Sequence, residues 1–185
     1  MMQKAVFLDR DGVINVDHGY VHEIASFEFV EGVLDAARNL YQQGYLLVVV
    51  TNQSGIARGY YDESQFHQLT EWMKSEFQKA GAPLTAVYCC PHHPKGEIAK
   101  YAIECQCRKP EPGMLKRAAD EHNISLGSSY MVGDKADDMR AAIAAGLKGQ
   151  FLVRTGKSVT KEGAELASEV VDSLADVPSA ISKAQ

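Results

Sequence analysis

The densest chemistry in the chain is the run Phe7-Leu8-Asp9-Arg10-Asp11-Gly12, two carboxylates one residue apart directly after an apolar stretch. At the end of a buried strand such a pair would repel and be poorly solvated unless a cation lay between its members. With oxygen donors only, Mg²⁺ is the natural ion, usually keeping waters and completing its shell with a substrate phosphate. Asp134, in Met131-Val132-Gly133-Asp134-Lys135, offers a third carboxylate. In that setting Asp9 can attack a phosphoryl group in line to give an aspartyl-phosphate. Asp11 can protonate the leaving alkoxide and later take a proton from the hydrolytic water. The phosphoryl oxygens need neutralising in both steps. Thr51, with the turn Asn52-Gln53-Ser54-Gly55, offers a hydroxyl and loop amides, and Arg108 and Lys109, ahead of Pro110, offer positive charge. Asp137 and Asp138 read instead as acids at a helix N-terminus, facing its dipole.

A second constellation is metal chemistry of a different kind. Cys89, Cys90, Cys105 and Cys107 are the only cysteines and lie in one short stretch, unlike a disulfide framework spread over a secreted domain. Cys90-Pro91-His92 followed by Cys105-Gln106-Cys107 supplies three thiolates and one imidazole, a tetrahedral set suited to Zn²⁺. All four positions are filled by protein, so the zinc is expected to be structural. It would hold the Lys95 to Gln106 excursion so that Arg108 and Lys109 reach a substrate. Cys89 and His93 adjoin the chosen ligands and compete for those roles; if Val87 and Cys89 point into the sheet, Cys90 faces the loop.

These groups are far apart in sequence, so the fold must gather them. Lys4 to Leu8, Tyr45 to Val50, Ser129 to Val132 and Gln150 to Val153 read as buried strands, each ending at a polar residue: Asp9, Thr51, Asp134 and Arg154. A further strand is expected at Ala86 to Cys89 and a short one at Glu169 to Val171. Between them, Val33, Leu34, Ala37 and Leu40 make an apolar helix face stopped at Gly44. Asp62 with Gln65 resembles a capping box ahead of Phe66, Leu69, Met73 and Phe77. More helices are expected from about Pro112 to His122, from Asp137 to Ala145 with Gly146 as stop, and near Val177 to Lys183. This alternation implies an α/β fold, a Rossmann-like three-layer sandwich with a mainly parallel sheet covered on both faces. In such sheets ligands bind beyond the carboxyl ends of the strands, where strand order reverses. Asp9, Thr51 and Asp134 are therefore expected on one rim.

The 185 residues suit one domain, 1–185, and the stretches from Asp11 to Tyr45 and from Thr51 to Lys109 are too short to hold a separate cap. Nineteen Lys and Arg against 24 Asp and Glu give a net charge of −5, which disfavours nucleic acid as partner. No apolar run approaches the roughly 20 residues of a membrane helix, and Asp9 interrupts any signal-peptide core. A cytoplasmic location and a monomer are the expectations.

The ordered set Asp9-Arg10-Asp11-Gly12, Thr51-Asn52, Lys109-Pro110 and Gly133-Asp134-Lys135-x-x-Asp138 resembles the four signature motifs of the haloacid dehalogenase-like (HAD) phosphatases. The resemblance implies a HAD-like fold, Asp9 as nucleophile, Asp11 as general acid and base, and Thr51 and Lys109 as phosphoryl stabilisers. It implies Mg²⁺ held by Asp9, the Asp11 backbone carbonyl and Asp134. The family usually continues motif one with Gly-Thr, where this chain has Gly12-Val13, so one hydroxyl near the nucleophile is missing. Within the family, Asp17-His18-Gly19-Tyr20, the Thr51 to Gly59 run and Cys105-x-Cys107-Arg108-Lys109-Pro110 are similar to capless, zinc-stapled phosphatases acting on a small-molecule sugar bisphosphate. That similarity implies substrate contacts from Asp17, His18, Gly19 and Tyr20, from Thr51, Asn52, Gln53 and Ser54, and from Arg108, Lys109 and Lys135. The rivals are a histidinol-phosphate phosphatase, a polynucleotide phosphatase, and a non-catalytic zinc-organised binding module on the same fold.

Overall fold

A computed structural model describes residues 1–184. Its centre is a six-stranded sheet in the order β3-β2-β1-β4-β5-β6. The strands are β1 (Ala5–Leu8), β2 (Leu46–Asn52), β3 (Ala86–Cys90), β4 (Tyr130–Gly133), β5 (Gly149–Val153) and β6 (Glu169–Val171). Every neighbouring pair is parallel. Strand order reverses at β1, with β2 on one side and β4 on the other.

Alternation along each strand sorts the core into two halves. Val6, Leu8, Leu47, Val49 and Val132 pack with α1 (Val33–Gln42), α2 (Glu63–Lys79) and α6 (Val177–Lys183) on one face. Ala5, Phe7, Val48, Val50 and Met131 pack with α3 (Gly113–His122) and α4 (Ala136–Ala145) on the other. Both faces being covered explains why the strands read as continuous apolar runs. The three-layer architecture anticipated above is the one found.

The elements end where local chemistry predicts. Asp62 caps α2, accepting from Gln65 N–H at 2.8 Å while its own N–H donates to the Gln65 side chain at 2.9 Å. Gly146 closes α4 in a left-handed conformation with φ of +77°. β2 runs on through Thr51 to Asn52, so Thr51 belongs to the strand rather than to the loop after it. One α-helix was not anticipated. Helix α5 (Lys161–Leu166) has six residues with a glycine inside, too short for an apolar period to show. Thr160 starts it by accepting from Gly163 N–H at 3.0 Å.

Register places the strand ends level. Leu8 pairs with Val49 on one side and Val132 on the other, so Asp9 emerges between the ends of β2 and β4. The loop after β1 and the segment between β2 and β3 carry no separate cap; the first holds one short 3₁₀ turn and the second is mostly α2. Among the described residues no helix is long and apolar enough to cross a membrane.

Removing the α2 cap tests this local reading. Asp62→Ala is expected to cost about 1 kcal/mol. A urea titration should show a lower midpoint with an unchanged slope.

Candidate active site

At the reversal point, carboxylates from two strand ends meet one ammonium group. Asp9 follows β1 and Asp134 follows β4; Asp138 lies in the first turn of α4. All three are buried, and their oxygens approach within 4.8 Å of one another. Lys109, only 3% exposed, reaches in from the loop before α3. Its Nζ lies 3.0 Å from Asp9 Oδ1 and 2.6 Å from Asp138 Oδ1, and donates to the Val50 carbonyl at 2.9 Å. The backbone of Lys109 is fixed as well. Asn52 donates its Nδ2 to the Lys109 carbonyl at 3.2 Å and accepts the Lys109 N–H at Oδ1 at 3.1 Å.

Asp138, which the fourth motif includes, does more than the helix-terminal duty that its position suggests. Its Oδ2 does accept the N–H groups of Asp134 and Lys135, both at 3.1 Å. The same carboxylate also neutralises Lys109, so it belongs to the centre. Asp137 lies in the first turn of α4, as expected, and pairs on the surface with Arg140 at 2.8 Å.

Electrostatics in this centre follow from burial. Desolvation pushes the Asp9 carboxyl well up; Lys109 opposes the shift, while Asp138, Asp134 and Asp11 add to it. Asp134 is raised first by burial and then by Asp138. Burial works against the Lys109 ammonium, but Asp138 and Asp9 outweigh it and hold the group protonated.

The donor set fits a hard divalent cation. Asp134 Oδ2 accepts the Lys157 N–H at 2.9 Å, whereas its Oδ1 is buried with no hydrogen-bond partner. A buried carboxylate oxygen left bare is costly unless something positive meets it. Two glycines keep the backbone close to this carboxylate: a Cβ at Gly12 would lie 2.5 Å, and at Gly156 2.1 Å, from Asp134 Oδ2. A cation held between Asp9 and Asp134 would reverse both upward shifts.

Asp11 is held separately. Arg10 Nη2 donates to its two oxygens at 3.0 and 3.2 Å, Asn15 Nδ2 to Oδ1 at 3.0 Å, and Gln53 Nε2 to Oδ2 at 3.0 Å. Burial raises this carboxyl, but Arg10, then Asn15 and Gln53, more than offset it and hold Asp11 below the usual carboxylate range. Arg10 is itself 1% exposed, donates to the Val21 carbonyl at 2.6 Å, and has its guanidinium carbon 6.0 Å from the ring centroids of Phe27 and Phe66. Nothing in the sequence marked it apart from its place between two aspartates.

Beside the centre opens a cavity of about 300 Å³. Of the residues expected to contact substrate, Asp17, Gly19, Tyr20, Asn52, Gln53, Ser54, Arg108 and Lys135 line it. Thr51 and Lys109 are buried and do not line it. His18 does not line it either; its Nε2 lies 3.5 Å from Glu28. Arg154, directly after β5, is exposed and pairs with Asp172, so that side chain is no part of the site. Three lining residues were missed: Arg58, Tyr61 and Lys157. Lys157 comes from the loop after β5 and pairs with Asp17 at 3.3 Å. Four cations, Arg58, Arg108, Lys135 and Lys157, thus face the space against the carboxylates of Asp11 and Asp17.

The cysteine segment forms the second cluster. Cys90, His92, Cys105 and Cys107 present donor atoms within 4.8 Å of one another. The sulfurs are 3.0 to 3.5 Å apart, too far for a disulfide. His92 Nδ1 lies 3.7 Å from Cys90 Sγ and 3.4 Å from Cys107 Sγ. The close contact between the Cys90 and Cys107 sulfurs is the main reason that Cys107 falls to about 5 and that the Cys90 thiol is pushed up. The competitors are occupied elsewhere: Cys89 packs against the cluster of Ile56, Tyr61 and Phe66, and His93 Nδ1 accepts the Lys95 N–H at 3.0 Å. Soft thiolates with one imidazole in a closed set suit zinc. The loop so gathered reaches the 54–61 segment, where Ile98 N–H donates to the Ala57 carbonyl at 2.9 Å.

Comparison with known proteins agrees with this geometry. The pattern of the HAD-hydrolase-like family matches residues 106–177. A protein of Escherichia coli (strain K12) named D-glycero-beta-D-manno-heptose-1,7-bisphosphate 7-phosphatase is 56% identical over 181 residues, 98% of this chain and 95% of its own. Its namesake in Yersinia pestis is 57% identical over 177 residues, 96% of this chain and 94% of that one. Among solved structures, the D,D-heptose 1,7-bisphosphate phosphatase of B. bronchiseptica, complexed with magnesium and phosphate, superposes with a TM-score of 0.83 at 30% identity, covering 99% of this chain and all of that one. The corresponding Burkholderia thailandensis enzyme gives 0.68 at 29% identity, covering 97% of this chain and 98% of that one.

The ammonium among the carboxylates makes a stability prediction. Lys109→Met leaves buried negative charge uncompensated and is expected to cost about 3 kcal/mol at pH 7 in the metal-free protein. The remaining carboxyls then have folded pKa values above their unfolded ones, so the variant should regain stability as pH falls toward 5. Denaturant midpoints at both pH values, against the parent protein, check the magnitude and the sign.

Proposed function

We infer the roles of individual residues from one premise: the chain belongs to the D-glycero-beta-D-manno-heptose-1,7-bisphosphate 7-phosphatases, a family of HAD-like hydrolases. It is a phosphomonoester hydrolase that removes the C7 phosphate from the heptose bisphosphate and leaves heptose 1-phosphate. That product feeds nucleotide-activated heptose for the lipopolysaccharide core. HAD phosphatases use Mg²⁺.

Asp9 is the nucleophile. It stands at the end of β1, where its Oδ1 is tied to Lys109 and to the Arg10 N–H at 2.9 Å, so its orientation is set before substrate arrives. Asp9, Asp134 and the Asp11 carbonyl would hold Mg²⁺. Bound there, the ion supplies positive charge that keeps Asp9 ionised and draws charge from the phosphoryl oxygens. Lys109 and Thr51 neutralise and bond the phosphoryl group from the side of β2. Asp11, an anion in the free protein, takes up a proton as the phosphate dianion binds beside it and gives that proton to the leaving C7 oxygen. It then takes one from the water that attacks phosphorus in the aspartyl-phosphate, which returns Asp9 as a carboxylate.

The observation that carries the substrate class is the set of four cations on an otherwise polar cavity beside one phosphoryl centre. Lys157 is already met by Asp17, but a single phosphomonoester held at the centre leaves Arg58, Arg108 and Lys135 unmatched, whereas a substrate with a second phosphate uses them. Arg108, whose Nη1 is buried without a partner, is suited to that second phosphate as a planar donor. Asp17, Tyr20 and Ser54 can meet sugar hydroxyls. Histidinol phosphate, which carries an ammonium and an imidazole instead, fits this charge less well. Zinc held by Cys90, His92, Cys105 and Cys107 is structural, bracing the segment that delivers Arg108 and Lys109. The enzyme works as a monomer in the cytoplasm, where thiols stay reduced.

A phosphate-release panel of heptose 1,7-bisphosphate, histidinol phosphate and a 3′-phosphorylated oligonucleotide tests the substrate. Strong preference for the heptose is expected, and preference for either other compound rejects the reading. Asp9→Asn should lose all measurable turnover while keeping its circular-dichroism spectrum. For the second site, His92→Ala should lower both bound zinc, read by metal analysis, and the melting temperature. His93→Ala should lower neither.

A further inference from the structure

Gln53 serves two catalytic groups with one amide. Its Nε2 donates to Asp11 Oδ2 at 3.0 Å and to Thr51 Oγ1 at 2.8 Å. The two ends of a primary amide have nearly the same shape and opposite hydrogen-bonding character. If the group turned over, a carbonyl oxygen would face the Asp11 carboxylate. The oxygen end must therefore be anchored, and the anchor is Tyr61, whose hydroxyl donates to Gln53 Oε1.

Tyr61 is built in rather than incidental. It is 6% exposed, and its ring stacks on His22 with centroids 4.9 Å apart at an interplanar angle of 10°. The ring also lies directly on Gly55, where a Cβ would come within 2.2 Å of Tyr61 Cε1. Gly55 does not have a positive φ, so its glycine is explained by the close approach of that ring and not by backbone conformation. Burial pushes the Tyr61 hydroxyl up, which keeps it a donor throughout the neutral range. Nothing in the proposed chemistry uses this side chain directly.

We propose that Tyr61 is a positioning residue for the acid–base step: its hydroxyl anchors the carbonyl end of Gln53, and the amide nitrogen thereby holds Asp11 and Thr51 in place. The inference rests on the acid–base role assigned to Asp11. Without the hydroxyl, the Gln53 oxygen becomes a buried acceptor lacking a donor, and the amide reorients to find one. Asp11 then keeps Arg10 and Asn15 but loses the shorter of the two bonds to Oδ2. Substrate affinity, set across the cavity by the cationic groups, is unaffected.

The test is steady-state hydrolysis of heptose 1,7-bisphosphate by the full chain. Tyr61→Phe keeps the ring, its stacking and its burial and removes one oxygen. It should lower kcat about tenfold with KM changed by less than about twofold. Gln53→Leu should lose at least as much, and the double variant should be no worse than Gln53→Leu alone, because Tyr61 acts only through Gln53. An unchanged kcat in Tyr61→Phe, a loss carried by KM alone, or additive losses in the double variant would each overturn the inference. Asp11→Asn separates the two levels of the argument. If it is inactive while Tyr61→Phe is fully active, the tyrosine is rejected and the acid–base role stands; if it retains activity, that role itself fails.

Discussion

A lysine ammonium buried among carboxylates is the interaction on which the active end of the sheet depends. Asp9, Asp134 and Asp138 could not share so dry a space as anions without it, and Lys109 could not stay charged there without them. Removing water makes each pairing stronger and each unpaired charge more costly. The arrangement is therefore close to all-or-none, and much nearby structure serves to complete it. Asn52 locks the Lys109 backbone, the Val50 carbonyl takes a further ammonium hydrogen, and Asp138 ties the first turn of α4 to the end of β4. What stays unmet is Asp134 Oδ1. That bare oxygen beside Asp9 is where the protein's own groups stop and a cation's chemistry begins.

The sheet makes this meeting possible. Because every strand pairing is parallel and the order reverses at β1, the ends of β1, β2 and β4 emerge side by side. Residues about 40 and 120 positions apart become neighbours without any long-range feature of their own. The zinc-type cluster solves a different problem. A segment of loop between β3 and α3 has little apolar surface with which to hold itself, and four soft donors gather it instead. Through Ile98 and Ala57 that segment braces the 54–61 loop, which supplies Arg58 and Tyr61 to the cavity.

The fold was legible because its signals are local and repeated. Buried parallel strands read as apolar runs, the Asp62–Gln65 box and Gly146 mark helix ends, and the strand at Glu169–Val171 and the helix at Val177–Lys183 fall where expected. Helix α5 was not legible, since six residues with an internal glycine carry no period. Within the site, the carboxylates and Lys109 could be read from residue type and spacing, whereas Asp138 was assigned the ordinary duty of a helix-terminal acid. It performs that duty with one oxygen and neutralises Lys109 with the other, a double role that spacing cannot reveal. Arg10, Arg58, Tyr61 and Lys157 were missed for another reason. Their parts depend on which way a side chain points across a cavity, and Lys157 reaches it from a strand end that offered only the exposed Arg154.

The centre has its meaning only if Asp9 attacks phosphorus itself instead of activating a water that does so. The stereochemical course at phosphorus distinguishes these directly, using a substrate whose C7 phosphate is made chiral with oxygen isotopes and sulfur. Two successive in-line displacements, the first by Asp9 and the second by water, give net retention of configuration. Net inversion would mean a single displacement by water, and the buried carboxylate at the end of β1 would then have no place as the nucleophile.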